Sequence, residues 1–156
     1  MDLKDTNLRD FIKKILIEKK YKKDQFIKHL LYSLIEIYFS NNVSVNNSLV
    51  CFGLSKFGSE ELKSEWFPAL SSGSKLASYC LTEPNSGSDA ASLKTTATKE
   101  GDSYVINGSK AFISGSGSTD CLVLMARTGE EGPKGISCFL IPADLPGIEY
   151  GKNESK

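Results

Sequence analysis

The chain has 156 residues, room for one core of ordinary size or two small subdomains. Apolar residues make up 40% and charged residues 24%, a globular composition, and a formal net charge of zero gives no reason to expect a nucleic-acid partner. The four cysteines (Cys51, Cys80, Cys121 and Cys138) form no CxxC pair and read as free thiols, and the lone His29 makes neither a His-based metal site nor a Cys/His catalytic pair convincing.

From the N-terminus, acidic and basic residues (Asp2, Lys4, Asp5, Arg9) interrupt any apolar core of a secretory signal, and Asp2, Asp5 and Asp10 argue against an ordinary transit peptide. No run reaches the ~18 apolar residues of a membrane span. Leu8, Phe11, Ile12, Ile15 and Leu16 recur at helical spacing, with lysines on the opposite side. A second apolar stripe follows: Phe26, Leu30, Leu31, Leu34, Ile35 and Tyr38, ended by Ser40-Asn41-Asn42. Asn46 or Asn47 is positioned to cap a third helix whose stripe contains Leu49, Val50, Leu54 and Phe57, with Gly58 just past its end. Ser59 can cap a fourth, with Glu60 and Glu61 at its positive end and Pro68 closing it.

From about residue 75 the pattern changes to β. Segments 77–82, 93–99, 103–107, 110–114, 120–127 and 136–141 are rich in Val, Ile, Tyr, Phe, Thr and Cys, and turn residues separate them. Asn107-Gly108 predicts a tight turn between two strands, and Glu131-Gly132-Pro133-Lys134-Gly135 another. The expected fold is α+β: an N-terminal helical region over 1–74, then a β domain over 75–156 built as an antiparallel barrel or sandwich.

The chemically informative run is Tyr79-Cys80-Leu81-Thr82-Glu83-Pro84-Asn85-Ser86-Gly87-Ser88-Asp89. A strand enters a loop of proline, asparagine, glycine and small hydroxyl residues, which lets a flat polar heterocycle or a phosphate come close to the backbone. An ordinary Ser/Gly-rich turn has the same composition. Neither a Walker loop nor a dinucleotide GxGxxG motif is present. A second segment, Lys110-Ala111-Phe112-Ile113-Ser114-Gly115, offers an aromatic wall and a hydroxyl donor to one planar ligand, although Phe112 alone reads equally well as core.

On these residues the chain resembles the acyl-CoA dehydrogenase family. Ala77 to Asp89 is similar to its Leu-Thr-Glu-Pro-x-x-Gly-Ser-Asp signature, and Gly108 to Ser114 to its second flavin segment. Phe57-Gly58-Ser59-Glu60-Glu61-Leu62-Lys63 and Gly132-Pro133-Lys134-Gly135-Ile136-Ser137 fit the same family in the same order, so the resemblance covers roughly residues 46–155. Ala77-Ser78-Tyr79-Cys80 and Ala111-Phe112-Ile113-Ser114-Gly115 look most like the isobutyryl-CoA dehydrogenase type.

The resemblance implies FAD as cofactor, lined by Tyr79, Cys80, Leu81, Thr82, Gly87 and Ser88 and by Phe112, Ile113 and Ser114. The Leu81 backbone and Thr82 hydroxyl would hydrogen-bond the flavin ring, and Ser114 would lie near its reactive nitrogen. Ser88 would touch the acyl-CoA thioester arm or pantetheine. It implies α,β-dehydrogenation of a short branched-chain acyl-CoA, electron transfer to an electron-transferring flavoprotein, homo-oligomers and the mitochondrial matrix. It also implies a later helical domain that supplies the catalytic carboxylate. No Glu before Lys156 is assigned that role, and Glu83 is expected to orient its loop. The chain by itself is therefore expected to be inactive, and residues 1–40 depart from the family's N-terminal helical domain. Two readings of other classes stand beside the flavoenzyme: a non-catalytic β module binding a partner protein or an acyl-CoA, and a remnant too incomplete to fold stably.

Overall fold

The computed structural model describes residues 44–152. The apolar stripes between Leu8 and Tyr38 lie outside the described residues. The first described element is a π-helical segment, Val45–Cys51, which runs directly into helix α1 (Phe52–Phe57). Helix α2 (Glu60–Ser71) follows. Five strands come next: β1 (Ala77–Cys80), β2 (Thr96–Glu100), β3 (Ser103–Asn107), β4 (Cys121–Arg127) and β5 (Ile136–Pro142).

Helix capping departs from expectation in part. Asn46 is no cap: it lies inside the π-helical coil and is buried, because its side-chain amide is needed elsewhere. It donates to Leu70 O at 2.9 Å, at the end of α2, and accepts from Ala77 N at 3.3 Å, at the start of β1. Of the expected third stripe, Val50 and Leu54 are buried, but Leu49 and Phe57 are exposed. Gly58 is extended rather than left-handed (φ −68°, ψ 147°). It is glycine for space, since an added Cβ would sit 2.6 Å from both Leu54 O and Leu54 Cδ1. Ser59 does cap α2, its hydroxyl accepting from Leu62 N at 3.3 Å. Pro68 does not end α2, which continues to Ser71. Serine hydroxyls satisfy carbonyls around that last turn: Ser71 Oγ donates to Pro68 O, and Ser72 Oγ and Ser74 Oγ to Ala69 O. Burial of Trp66 and Leu70 holds the helix against the sheet.

The sheet is mixed and open, not an all-antiparallel barrel. β4 runs parallel to β1 (Ala77↔Cys121 to Cys80↔Leu124) and touches β2 in parallel at Thr96↔Arg127. It pairs antiparallel with β5 along its full length, and β2 with β3. Parallel pairing needs a long crossover. Here the crossover is the whole stretch between Cys80 and Cys121, which carries both loops singled out from the sequence and the β2–β3 hairpin. That hairpin turns at Gly101-Asp102, where Gly101 has φ 60°, a conformation that favours glycine.

β4 is central and buried on both faces, which is why it reads as an unbroken apolar run. On one face Cys121 and Val123 join Val50, Cys51, Leu54, Trp66, Leu70 and Ala77 in a helix–sheet core. On the other, Leu122 and Leu124 join Cys80, with Ile106, Ile113, Phe139 and Ile141 packed around them.

The expected strand at 110–114 is absent, and with it the hairpin predicted at Asn107-Gly108. The residues form a loop continued by two turns, Ser116 N→Ile113 O at 3.2 Å and Ser118 N→Gly115 O at 2.8 Å. A left-handed Phe112 (φ 57°) interrupts the extended path. Gly108 is needed for close approach instead, since a Cβ there would lie 2.4 Å from Thr95 Oγ1. The expected turn at 131–135 is present and joins β4 to β5, with Gly132 at φ 93°.

Candidate functional site

The first loop leaves β1 at Leu81 and closes on itself. Glu83 and Ser86 exchange backbone hydrogen bonds in both directions (3.0 and 3.1 Å), with Pro84-Asn85 at the bend. Ser86 is buried, and its hydroxyl donates to Asp89 O at 2.7 Å; Ser92 Oγ donates to the same carbonyl at 2.9 Å.

Glu83 anchors this loop to the rest of the molecule. Its buried carboxylate accepts from Lys94 N (2.6 Å), Thr95 N (2.9 Å) and Lys110 Nζ (2.8 Å). Burial pushes the carboxyl's pKa up. The hydrogen bonds from Lys110, Thr95 and Lys94 outweigh that and hold it down at about 2. Glu83 is therefore a structural anion at neutral pH.

The second loop lies against the first. Ala111 N donates to Thr82 O at 2.9 Å, and Lys110 Nζ donates to Leu81 O at 3.1 Å as well as to Glu83. At its far end, the buried Ser78 hydroxyl on β1 donates to Ser114 O at 2.8 Å and shares a 2.8 Å bond with Thr119 Oγ1. Between these two attachments Phe112, 76% exposed, sits on left-handed backbone. An exposed phenyl and a strained backbone are both unfavourable without a partner. Among the described residues, neither the Thr82 nor the Ser114 hydroxyl has a hydrogen-bond partner, so both are free to serve a ligand. An exposed ring on the second loop, beside the first loop and its hydroxyl residues, suits a flat, polar heterocycle.

The other residues read from the sequence fall as follows. Gly87 and Ser88 are exposed on the outer turn of the first loop. Ile113 is half-buried against the Cys80, Leu122 and Leu124 cluster. Cys80 is itself core, its thiol pushed up to about 11 by burial against a smaller opposing effect of Lys110, so it can offer a ligand only its backbone. Tyr79 is half-buried on the opposite face, against the helices, and burial raises its phenol pKa, with Cys138 adding to the effect. Cys51 and Cys121 are free and buried, Cys121 pushed up to about 12 chiefly by burial, whereas Cys138 is free and exposed.

Several side chains that shape the site carry no role in the sequence reading. Lys110 and Ser78 hold the second loop, and the Thr95 backbone N–H holds Glu83, while the buried Thr95 hydroxyl has no hydrogen-bond partner among the described residues. Arg127 staples the crossover: its guanidinium donates to Ala91 O (2.7 Å), Leu93 O (3.2 Å), Glu130 O (2.6 Å) and Gly132 O (3.1 Å). The only signal for them was a lone cation at the edge of an apolar run. Among the described residues no helix is long and apolar enough to cross a membrane, and no group of acidic, Cys or His side chains could hold a metal.

A family model described as "Acyl-CoA dehydrogenase, middle domain" matches residues 78–156. Isobutyryl-CoA dehydrogenase, mitochondrial, of Dictyostelium discoideum is 55% identical over 116 residues, which are 73% of this chain and 27% of that protein. Butyryl-CoA dehydrogenase from Megasphaera elsdenii superposes with a TM-score of 0.73 at 38% identity, covering 76% of this chain and 32% of that one. A glutaryl-CoA dehydrogenase from Mycobacterium smegmatis, solved in complex with FADH2, superposes with a TM-score of 0.69 at 36% identity, covering 74% and 29%. The chain thus spans less than a third of the length of each of these relatives.

Proposed function

Because the chain belongs to the acyl-CoA dehydrogenase family, whose cofactor is FAD, we propose that its two joined loops form one wall of a flavin site in an enzyme that α,β-dehydrogenates a short branched-chain acyl-CoA. Bound FAD supplies the hydride acceptor. The residues of this chain bind and orient. The Leu81 backbone and the Thr82 hydroxyl donate to the polar edge of the ring. Phe112 and Ile113 pack on it, and Ser114 donates near its reactive nitrogen. Gly87 completes the wall, to which Tyr79 (packed against the helices) and Cys80 (core) can bring only their backbone, and Ser88 meets the thioester or pantetheine arm of the substrate. The single observation that carries this reading is Phe112, an exposed aromatic held in a strained conformation on the second loop, next to the residue that bonds the first.

The reaction also needs a base for the α-proton. Glu83 does not qualify, because a carboxylate held at about 2 and already accepting three hydrogen bonds is a poor proton acceptor. That base, the partner copy that completes the pocket and the electron-transferring flavoprotein that takes the electrons belong to the whole enzyme. The division of the chain near residue 75 and a mitochondrial matrix location are part of the same reading, the latter supported by the mitochondrial relative.

Titration of the purified chain with FAD tests the site. A yellow, flavin-quenching complex is expected. A colourless chain that leaves flavin fluorescence unchanged at saturating FAD would refute the flavin reading, and if it still bound acyl-CoA it would point to a non-redox module. With isobutyryl-CoA and an artificial acceptor the 156 residues alone should show little or no turnover, since a positioned base contributes roughly 10²–10⁴-fold.

A further inference from the structure

We propose that Lys110 is a positioning residue for the flavin: it locks the second loop onto the first and so holds the left-handed turn that presents the Phe112 ring. This rests on the reading of the two loops as a flavin site. Lys110 and Ala111 of the second loop engage three consecutive residues of the first. Lys110 Nζ donates to Leu81 O at 3.1 Å and to Glu83 Oε1 at 2.8 Å, and Ala111 N donates to Thr82 O at 2.9 Å. The pair is nearly sequestered, with the Lys110 and Glu83 side chains 10% and 6% exposed. An ammonium placed there is costly to desolvate, so the pair is weak ground for a gain in stability.

The geometry imposed here is local. Phe112 is two residues beyond Lys110 and two before Ser114, whose carbonyl is held by Ser78 Oγ at 2.8 Å. A non-glycine residue at φ 57° persists only where its surroundings over-determine it. Here the over-determination comes from pinning both ends of a five-residue segment. The pin at Ser114 is a neutral hydroxyl on a strand. The pin at Lys110 is charge-assisted and reaches Leu81, assigned to the flavin edge, and Glu83, while the adjoining Ala111 N–H holds Thr82 O. Lys110 therefore fixes the spacing between the two halves of the ligand wall without touching the ligand.

The test uses the full chain, Lys110→Met, and the double variant Glu83→Gln/Lys110→Met, which leaves no unpaired charge in the interior if the single variant fails to fold. Two quantities are read: amide exchange at Ala111 without flavin, and the FAD dissociation constant. Loss of a charge-assisted bond should speed exchange at Ala111 and weaken FAD binding, each on the order of tenfold or more. Exchange at Leu122 to Leu124 in β4 should stay as in the wild type. Variants that bind FAD as tightly as the wild type overturn the proposal while leaving the site reading intact. A wild type that binds no FAD overturns the site reading and the proposal with it. If both variants are unfolded, Lys110 serves stability rather than positioning, and the proposal is likewise overturned.

Discussion

The two loops reach neighbouring positions by opposite means. Residues 81–89 close on themselves through the reciprocal Glu83–Ser86 bonds and the Ser86 hydroxyl on Asp89 O, and their external ties are the Glu83 carboxylate and the Leu81 and Thr82 carbonyls. Residues 110–119 have short turns only at their far end. Their first half is shaped from outside, by Leu81, Thr82, Glu83 and Ser78. A loop whose polar groups satisfy one another keeps its form wherever it is attached. A loop whose partners lie more than twenty-five residues away in sequence has a form only in the folded molecule.

Glu83 belongs to both arrangements, so its removal is the severest way to break the contrast. Glu83→Ala strands two backbone N–H groups and an ammonium in the interior, and should cost about 3–5 kcal/mol in urea denaturation. Next in size is the effect of acid. The Glu83 pKa falls from an ordinary 4.5 to about 2 in the folded chain. A depressed folded value means that the stabilisation is complete above pH 4.5 and is lost as pH falls toward 2. Over that window the stability difference between wild type and Glu83→Gln should shrink by roughly 3 kcal/mol. A constant difference would show that Glu83 keeps its ordinary pKa. The smallest effect sharpens the contrast from the other side. Phe112→Gly relieves the left-handed strain while losing little burial, and should raise stability by up to about 1 kcal/mol. The same variant should bind FAD more weakly than the wild type. A stability loss instead would mean that the strain is not borne at Phe112.

Much was legible where the cause is local. The Ser59 cap, the β4–β5 turn and the apolar run of β4 follow from neighbouring residues, and so did the first loop with its Leu-Thr-Glu-Pro pattern. The misread segments share one feature. At Lys110 to Ser114 the β-rich composition between turn residues suggests a strand, but a remote carboxylate and a remote hydroxyl hold the chain in a loop. At Asn46 a residue suited to capping is used inside a helix to tie α2 to β1. Pro68 looked like a stop because proline removes a helical hydrogen bond, yet serine hydroxyls and the burial of Leu70 carry the helix one turn further.

The sequence by itself determined most of the described elements, their order and the family motifs. Side-chain period, turn chemistry and short-range capping act within a few residues, and a linear reading captures them. Tertiary structure decided that β1 and β4 run parallel, that the sheet stays open, and that Lys110 joins Glu83 to fasten two loops together. Those outcomes depend on groups brought together by a crossover of some forty residues, and no local periodicity encodes which distant partner a strand edge or a buried charge will find.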